Sequence, residues 1–361
     1  MWWINILCAM LLLFTYLAPY TSPKTFWIPA LLALSFPYQL LIHFFFLIWW
    51  AVFRRKRMLL SGIVLLFGWG HVADHFQLFG NTDAPELTAS APIKLLSWNV
   101  RLFDLYNWTG NKVTRDAIFK ELHAQDADIL CLQEFFYSRN TIFFRTKDAL
   151  LKEFRYTHIH DRYTQHTRLD THFGIATFSA FPIIAKGDIK FPENPNNQCI
   201  WSDIALKDDT IRVYNAHLAS YHFGDEDYKF IEKLDTDTDR DSIRTGGLRI
   251  LKRLHRGFDL RSDEVERIAA HMAASPHPVV YCGDMNDVPM SFSYNELKGN
   301  KVDAFRESGS GTGATYVGFL PGLRIDHILH DESIISWDFQ TLPIELSDHR
   351  PISVMIATKG E

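Results

Sequence analysis

The sequence is poor in cysteine and carries no excess of positive charge. Its four cysteines, Cys8, Cys131, Cys199 and Cys282, form no C-x-x-C pair, so metal sites built on that spacing are excluded. Cys131 and Cys282 lie in apolar runs, where a thiol behaves as a small hydrophobe, and the set does not fix a redox compartment. A formal net charge of −5 speaks against a broad cationic surface for long nucleic acid. There is no internal repeat and no low-complexity tract. At 361 residues the chain has room for a membrane part plus one sizeable domain.

Charge is also missing locally. Residues 2–20 (WWINILCAMLLLFTYLAPY) and 26–53 hold none, and the second run ends at Arg54-Arg55-Lys56-Arg57. At about 1.5 Å per helical residue, either run can cross a hydrocarbon core of about 30 Å. A third run, 58–79, is interrupted at its far end by His71, Asp74 and His75. It is expected to complete a third span, the alternative being a segment lying flat on the surface. A cleaved signal peptide is discounted: the first run has no basic n-region, no clear small-residue cleavage site, and another span follows at once. The first short loop holds only Lys24, the next holds four consecutive cations, and the stretch after 79 holds none. Basic loops stay inside, so three spans put the following domain outside the cytoplasm, whereas two would leave it within. Residues 1–79 are thus a membrane anchor of two to three transmembrane helices, 80–92 a linker, and 93–361 one large folded domain.

From Ile93 the pattern changes to short apolar runs that end in polar clusters. IKLLSWNV, ADILCLQEF, HFGIATFSAFPI, CIWSDIALKD, TIRVYNAHLAS, PVVYCGDMND, RIDHILHD and SDHRPISVMIA read as strands, with helical spacing over 114–124 and 262–275. Several strands are apolar on both faces, as in sheets buried between other layers, so an α/β layered sandwich is expected. Asn99, Glu134, His217, Asp284 with Asn286, Asp326 and Asp348-His349 each fall at or just beyond a strand end. Strand ends are where loops converge on a site, and carboxylates near a core need a partner or a metal. Asp287 is expected to be a turn residue only. The charged stretch 221–262 is expected to be a solvated excursion, the alternative being a flap over the site or on the bilayer.

SWNV, LQEF, GIATFSAFPI, NAHLAS, GDMND, RIDHI and SDHRP, in that order, resemble the signature blocks of the DNase I-like endonuclease/exonuclease/phosphatase superfamily. The resemblance covers 93–358, and the whole plan is similar to membrane-tethered bacterial members. It implies a four-layered α/β sandwich preceded by N-terminal transmembrane helices, in a bacterial inner membrane, with the catalytic domain extracytoplasmic. It implies Mg²⁺ (or Mn²⁺) held by Asn99, Glu134 and Asp348, with His217, Asp284, Asn286, Asp326 and His349 catalytic. Asp284 would act on the attacking water, Asn286 and His217 would donate to phosphate oxygens, and Asp326 would orient His349. Either Asp284 or His349 could be the base. The His of NAHLAS is closer to the DNase I, sphingomyelinase and deadenylase branches than to abasic-site repair enzymes. A membrane-anchored nuclease stands narrowly ahead of a lipid or small-molecule phosphodiesterase or phosphatase. A catalytically idle binding protein comes third, since every expected catalytic residue is kept. The partners implied are a phosphodiester substrate, nucleic acid or phospholipid headgroup, and the bilayer through residues 1–79. No protein partner is implied.

Overall fold

The computed structural model describes residues 1–86, 90–140, 143–207, 209–232, 240–318 and 320–359. Residues 87–89 of the expected linker and 233–239 of the expected excursion lie outside the described residues.

The N-terminal segment is helical: α1 (Trp2–Thr15), α2 (Ile28–Ala33), α3 (Phe36–Phe53), α4 (Arg55–Phe67) and α5 (Trp69–His75). Two apolar stretches, Trp2–Tyr20 and Phe36–Phe53, are long enough to span a membrane. The third run is not one rod, because α4 and α5 meet at a 71° bend, where Gly68 separates them. Helices α1, α3 and α4 alternate in direction. At one end Arg57 lies over Trp2 and Trp50, and at the other Tyr16 meets Phe36 and Phe67. Between them the Ser61 hydroxyl donates to Asn5 Oδ1 (2.8 Å) and lies 3.1 Å from His43 Nδ1. Such bonds hold helices together where no hydrophobic driving force acts between them. The outer face leaves Trp3, Leu7, Leu41, Ile48, Val52, Ile63 and Leu66 exposed, a wider apolar band than a soluble monomer carries.

Residues from Ile93 onward form β1 (Ile93–Asn99), α6 (Thr114–Gln125), β2 (Ile129–Ser138), α7 (Thr146–Glu153), β3 (His158–His166), β4 (Thr171–Ser179), β5 (Ile183–Ile189), β6 (Gln198–Ala205) and β7 (Thr210–His217). There follow α8 (Asp225–Glu232), α9 (Arg240–Ala273), β8 (Val279–Asp284), α10 (Phe292–Lys298), β9 (Val302–Asp303), α11 (Ala304–Ser308), β10 (Asp326–His330), β11 (Ile334–Thr341) and β12 (Ile352–Thr358). The strands make two six-stranded sheets, ordered β11-β12-β1-β2-β4-β3 and β5-β6-β7-β8-β10-β9. Only the central pairs β1–β2 and β7–β8 are parallel.

Alternation along each strand sets the layers. Leu95, Ile129, Cys131, Val213, Val280 and Cys282 meet between the sheets. Leu96, Trp98, Leu130 and Leu132 turn outward under Ile118, Leu122 and Leu150 of α6 and α7. On the far side Tyr214 and Tyr281 lie beneath Val265, Ile268 and Met272 of α9 and Leu297 of α10. The four-layered α/β sandwich expected from the sequence is present, with two further details. The run at 172–183 is two strands broken at Pro182, and the described part of the charged stretch 221–262 is largely helical and not a loop. It folds largely into α8 and α9, whose Leu254 and Phe258 are buried against Ala30 of α2.

The anchor and the sandwich share a core. Val288, Met290, Leu323 and Ile325 are buried with Leu12, Tyr16, Phe36 and Val72. Arg324, 2% exposed, pairs with the buried Asp303 at 2.7 Å and donates to the Asp74 carbonyl in α5 at 2.8 Å. Burial alone would raise the Asp303 carboxyl, but the Arg324 charge and its hydrogen bonds hold it below its ordinary value. A depressed carboxyl stabilises the fold above the ordinary carboxylate range, and that gain is lost as pH falls through the folded pKa. Asp303→Asn leaves a buried guanidinium unpaired and is expected to destabilise the full chain by about 3–5 kcal/mol. Denaturant unfolding in detergent measures this, and a variant as stable as wild type would refute the pairing.

Candidate active site

The strands converge at one end of the two sheets. Asn99 closes β1, His217 closes β7 and Asp284 closes β8, while Asp326 opens β10 on the antiparallel neighbour of β8. Glu134 sits in β2 where the register with β4 shifts between Leu132 and Phe135, and its φ is +47°. A bulge of this kind re-aims a side chain, and it turns Glu134 toward the cleft while its neighbours stay in the core. Gly283 has φ +149°, and a Cβ there would lie 2.1 Å from the Ala216 carbonyl oxygen of β7. No other residue lets β7 and β8 approach closely enough to bring His217 beside Asp284.

The eight residues expected from the sequence are brought together. Asn99 Nδ2 donates to Asp284 Oδ2 at 3.0 Å and to Glu134 Oε1 at 3.3 Å. His217 Nε2 lies 3.7 Å from Glu134 Oε1 and 3.6 Å from Asp284 Oδ2. Asn286, held at φ +51°, donates its backbone N–H to Asp284 Oδ1 (2.8 Å) and its amide to Asp284 Oδ2 (3.1 Å). His349 Nδ1 donates to Asp326 Oδ2 at 2.8 Å, and its Nε2 lies 3.5 Å from Asp284 Oδ2. Asp348 sits at the edge, 3.4 Å from Arg101. Asn99, Asp284, Asp326 and His349 are buried, whereas Glu134, His217 and Asp348 remain open to the cleft.

Electrostatics separates two of these groups. Burial would lower the His349 pKa, but the Asp326 and Asp284 carboxylates overcome it and raise the imidazole well above its ordinary value. Asp284 is raised by burial and by Asp326, against the pull of His349, His217 and the Asn286 amide. Each shift favours the protonated form of its own group, and the two groups stand 3.5 Å apart.

The donors are oxygens of the kind a hard divalent cation takes. Neither Glu134 nor Asp284 has a lysine or arginine partner among the described residues, and Asp326 Oδ1 is buried without a hydrogen-bond donor. Asp284, Asp326 and His349 could themselves hold an ion, since one ligand atom of each lies within 4.8 Å of the others. The Asp326 and His349 side chains of this group are also bonded to each other, while the Glu134 carboxylate is 34% exposed.

Several residues escaped the sequence reading. The Ser347 hydroxyl donates to the Asn99 carbonyl (2.7 Å), and Trp98 Nε1 to the His349 carbonyl (2.8 Å), tying β1 to the β11–β12 loop. Asp287 is not a mere turn residue. It is buried and bonded to Arg261 Nε (3.1 Å), and Arg261 also donates to the Ala219 carbonyl and to Tyr221 Oη (2.9 Å). Glu264, one turn along α9, accepts from the Ala219 N–H (2.8 Å) and the Asn197 amide (2.9 Å). Together Arg261 and Glu264 pin the loops that follow His217 and Asp284. No local pattern marks them, because their partners are distant in sequence.

Burial pushes the Glu264 carboxyl up to about 7, despite these hydrogen bonds. Unfolded, it titrates near 4.3. Its stabilising contribution is therefore full below about 4.3 and is lost as pH rises through the folded value. Glu264→Gln, neutral throughout, is expected to flatten that part of the pH–stability profile. An unchanged slope in urea unfolding across this window would contradict the raised pKa.

Residues 96–349 match the Endonuclease/Exonuclease/phosphatase family, and residues 1–75 match a domain of unknown function (DUF8431). Among curated proteins none matches the chain in sequence. The sandwich is similar to an endonuclease/exonuclease/phosphatase from Beutenbergia cavernae (14% identity, TM-score 0.52, covering 74% of this chain and 72% of that one). It is similar to the human Nocturnin catalytic domain with bound sulfate (17%, 0.53, covering 76% and 97%). It is likewise similar to D. rerio TDP2 complexed with single-strand DNA product (13%, 0.51, covering 74% and 100%).

Proposed function

The chain belongs to the endonuclease/exonuclease/phosphatase family, and from that premise we propose that it is a membrane-anchored, metal-dependent phosphodiesterase. Its α/β sandwich is the DNase I-like fold, and hydrolase chemistry follows from the family. The observation that carries the finer reading is the convergence of Asn99, Glu134, His217, Asn286 and His349 on the Asp284 carboxylate.

Asn99, Glu134 and Asp348 would hold Mg²⁺ or Mn²⁺, which when bound polarises a phosphoryl oxygen and offsets charge on the departing oxygen. Asp284 takes the proton of the attacking water, a role its raised basicity suits. This reading takes Asp284 as the base, because His349 Nδ1 is engaged by Asp326 and the neighbouring carboxylates favour the protonated imidazole. His349 Nε2, the Asn286 amide and His217 donate to the non-bridging oxygens as charge accumulates there. The P–O ester bond breaks, the departing alkoxide takes a proton from solvent, and Asp284 releases the water's proton.

The nuclease reading calls for a basic track across the mouth. Three arginines of helix α9 are already paired: Arg249 and Arg253 with Asp227, and Arg261 with Asp287. The anchoring reading rests on the apolar, lipid-length helices of residues 1–79 and on Arg54–Arg57 lying at the bundle end away from the sandwich. With basic loops inside, the catalytic domain lies outside the cytoplasm of a bacterial inner membrane.

The detergent-solubilised chain with Mg²⁺ is expected to hydrolyse bis(p-nitrophenyl) phosphate, with activity lost on chelation. Asp284→Asn is expected to lower kcat by about 10²–10⁴-fold. A folded Asp284→Asn protein at wild-type rate would sink the assignment. Plasmid DNA, single-stranded RNA, sphingomyelin and phosphoinositides run side by side define the substrate. For topology, alkaline phosphatase fused after Glu361 is expected to be active in cells. Activity restricted to a cytoplasmic reporter at that position would reverse the orientation.

A further inference from the structure

The site has two lips, and both point to the same neighbour. One lip is the anchor itself. Tyr316 forms a β-bridge to His349, its ring lies 6.1 Å from that imidazole, and it packs on the cluster that includes Tyr16, Phe36 and Val72. Val288 and Met290, just beyond Asn286, and Leu323 and Ile325, just before Asp326, are buried in the same cluster. One side chain therefore separates the catalytic imidazole from the sandwich-facing end of the helices.

The other lip is formed by loops of the first sheet. The segment after Asn99 leaves Tyr106 61% exposed, with Trp108 and Val113 also exposed. Ser138 pairs with Thr171, so the β3–β4 hairpin projects beyond the Asn99 and Glu134 end, and its tip residue Leu169 is 59% exposed. Exposed Lys112, Arg139 and Arg168 flank these apolar tips. Aromatic side chains beside cations are the composition of a surface that sits at the headgroup level of a bilayer.

We infer that the catalytic mouth lies against the bilayer, with Tyr106 and Leu169 entering its interface, and that the substrate is a phosphoester headgroup of a membrane amphiphile. The occupant is a lipid surface because the apolar N-terminal helices end beside one lip, at Tyr16, Phe36 and Val72, while the other lip carries exposed aromatic and aliphatic tips beside cations. The inference rests on the anchored phosphodiesterase reading above. The bond broken is the same phosphoester bond, and water supplies the incoming oxygen.

The full chain in nanodiscs of zwitterionic and anionic phospholipid tests it by two readouts. In a Cys8→Ser background, the other cysteines being buried, an environment-sensitive fluorophore on Leu169→Cys is compared with one on Lys207→Cys at the opposite end of the sheets. Brominated lipids are expected to quench the first and not the second. Tyr106→Ser combined with Leu169→Ser is expected to slow turnover of nanodisc-borne phospholipid by about tenfold or more, leaving bis(p-nitrophenyl) phosphate hydrolysis unchanged. Equal quenching at both positions, with the soluble ester still cleaved, overturns the inference and leaves the phosphodiesterase reading standing. Cleavage of nucleic acid with no turnover of any bilayer phosphoester overturns the substrate assignment. Failure on every ester, with Leu169→Cys quenched, removes the hydrolase reading and the substrate assignment but not the docked rim.

Discussion

The buried carboxylate of Asp284 is the constraint around which this site is organised. A desolvated carboxylate is costly unless its oxygens are hydrogen-bonded or paired. Here Asn99 and Asn286 donate to it and two imidazoles stand beside it. Each of those groups must come from a different strand end, which demands two parallel strand pairs ending at one level. Gly283 and the bulge at Glu134 are the local departures from regular geometry that make that level possible. The residual cost of burial raises the Asp284 carboxyl above its ordinary value.

A second dependence runs outward from the same point. The loops after β7 and β8 cannot hold His217 and Asn286 in place by themselves. They are fixed from behind by Arg261 and Glu264, on a helix whose neighbouring turn buries Leu254 and Phe258 against the anchor. The lead-in to Asp326 passes through Arg324, whose charge is matched by Asp303 and whose fork reaches the α5 backbone. The N-terminal helices therefore pack behind the loops that carry His217, Asn286 and Asp326. Lys24 pairing with Asp263 beside this helix adds an exposed contact worth little by itself.

How much of this could be read in the sequence follows from the range of each signal. The layered α/β architecture was legible because both faces of β1, β2 and β8 are apolar, and the two-sidedness of burial is a local pattern. Most of the candidate site residues drew notice because they lie at or next to strand ends, and the ordered blocks of the family add their spacing; Glu134 instead sits at a bulge inside β2, which continues to Ser138. Asp287 was misjudged as a turn residue because its partner Arg261 is 26 positions away. The excursion at 221–262 was misjudged for a related reason. Its charges suggested solvent, yet Arg261 is fully buried and Arg249 and Arg253 satisfy Asp227. Charge in a sequence reports exposure only when no distant partner exists.

The remaining question is what keeps the two sheets in register, since the site is divided between them. Asn99 and Glu134 belong to one sheet, His217, Asp284 and Asp326 to the other. An apolar inter-sheet core is non-directional and tolerates sliding. A polar cluster crosses it beneath the site: Gln133 Nε2 donates across to Asn215 Oδ1 at 2.8 Å and, within its own sheet, to Ser97 Oγ at 3.1 Å. The Asn215 amide in turn donates to the Ala176 carbonyl at 3.0 Å. Gln133 is the residue before Glu134, and Asn215 lies two before His217, so this bond bears on the offset between the Glu134 carboxylate and the His217 imidazole. A buried polar pair adds little net stability but penalises every register that would leave it unmet. The site geometry thus depends on a contact that touches no substrate, placed one residue below the cleft floor.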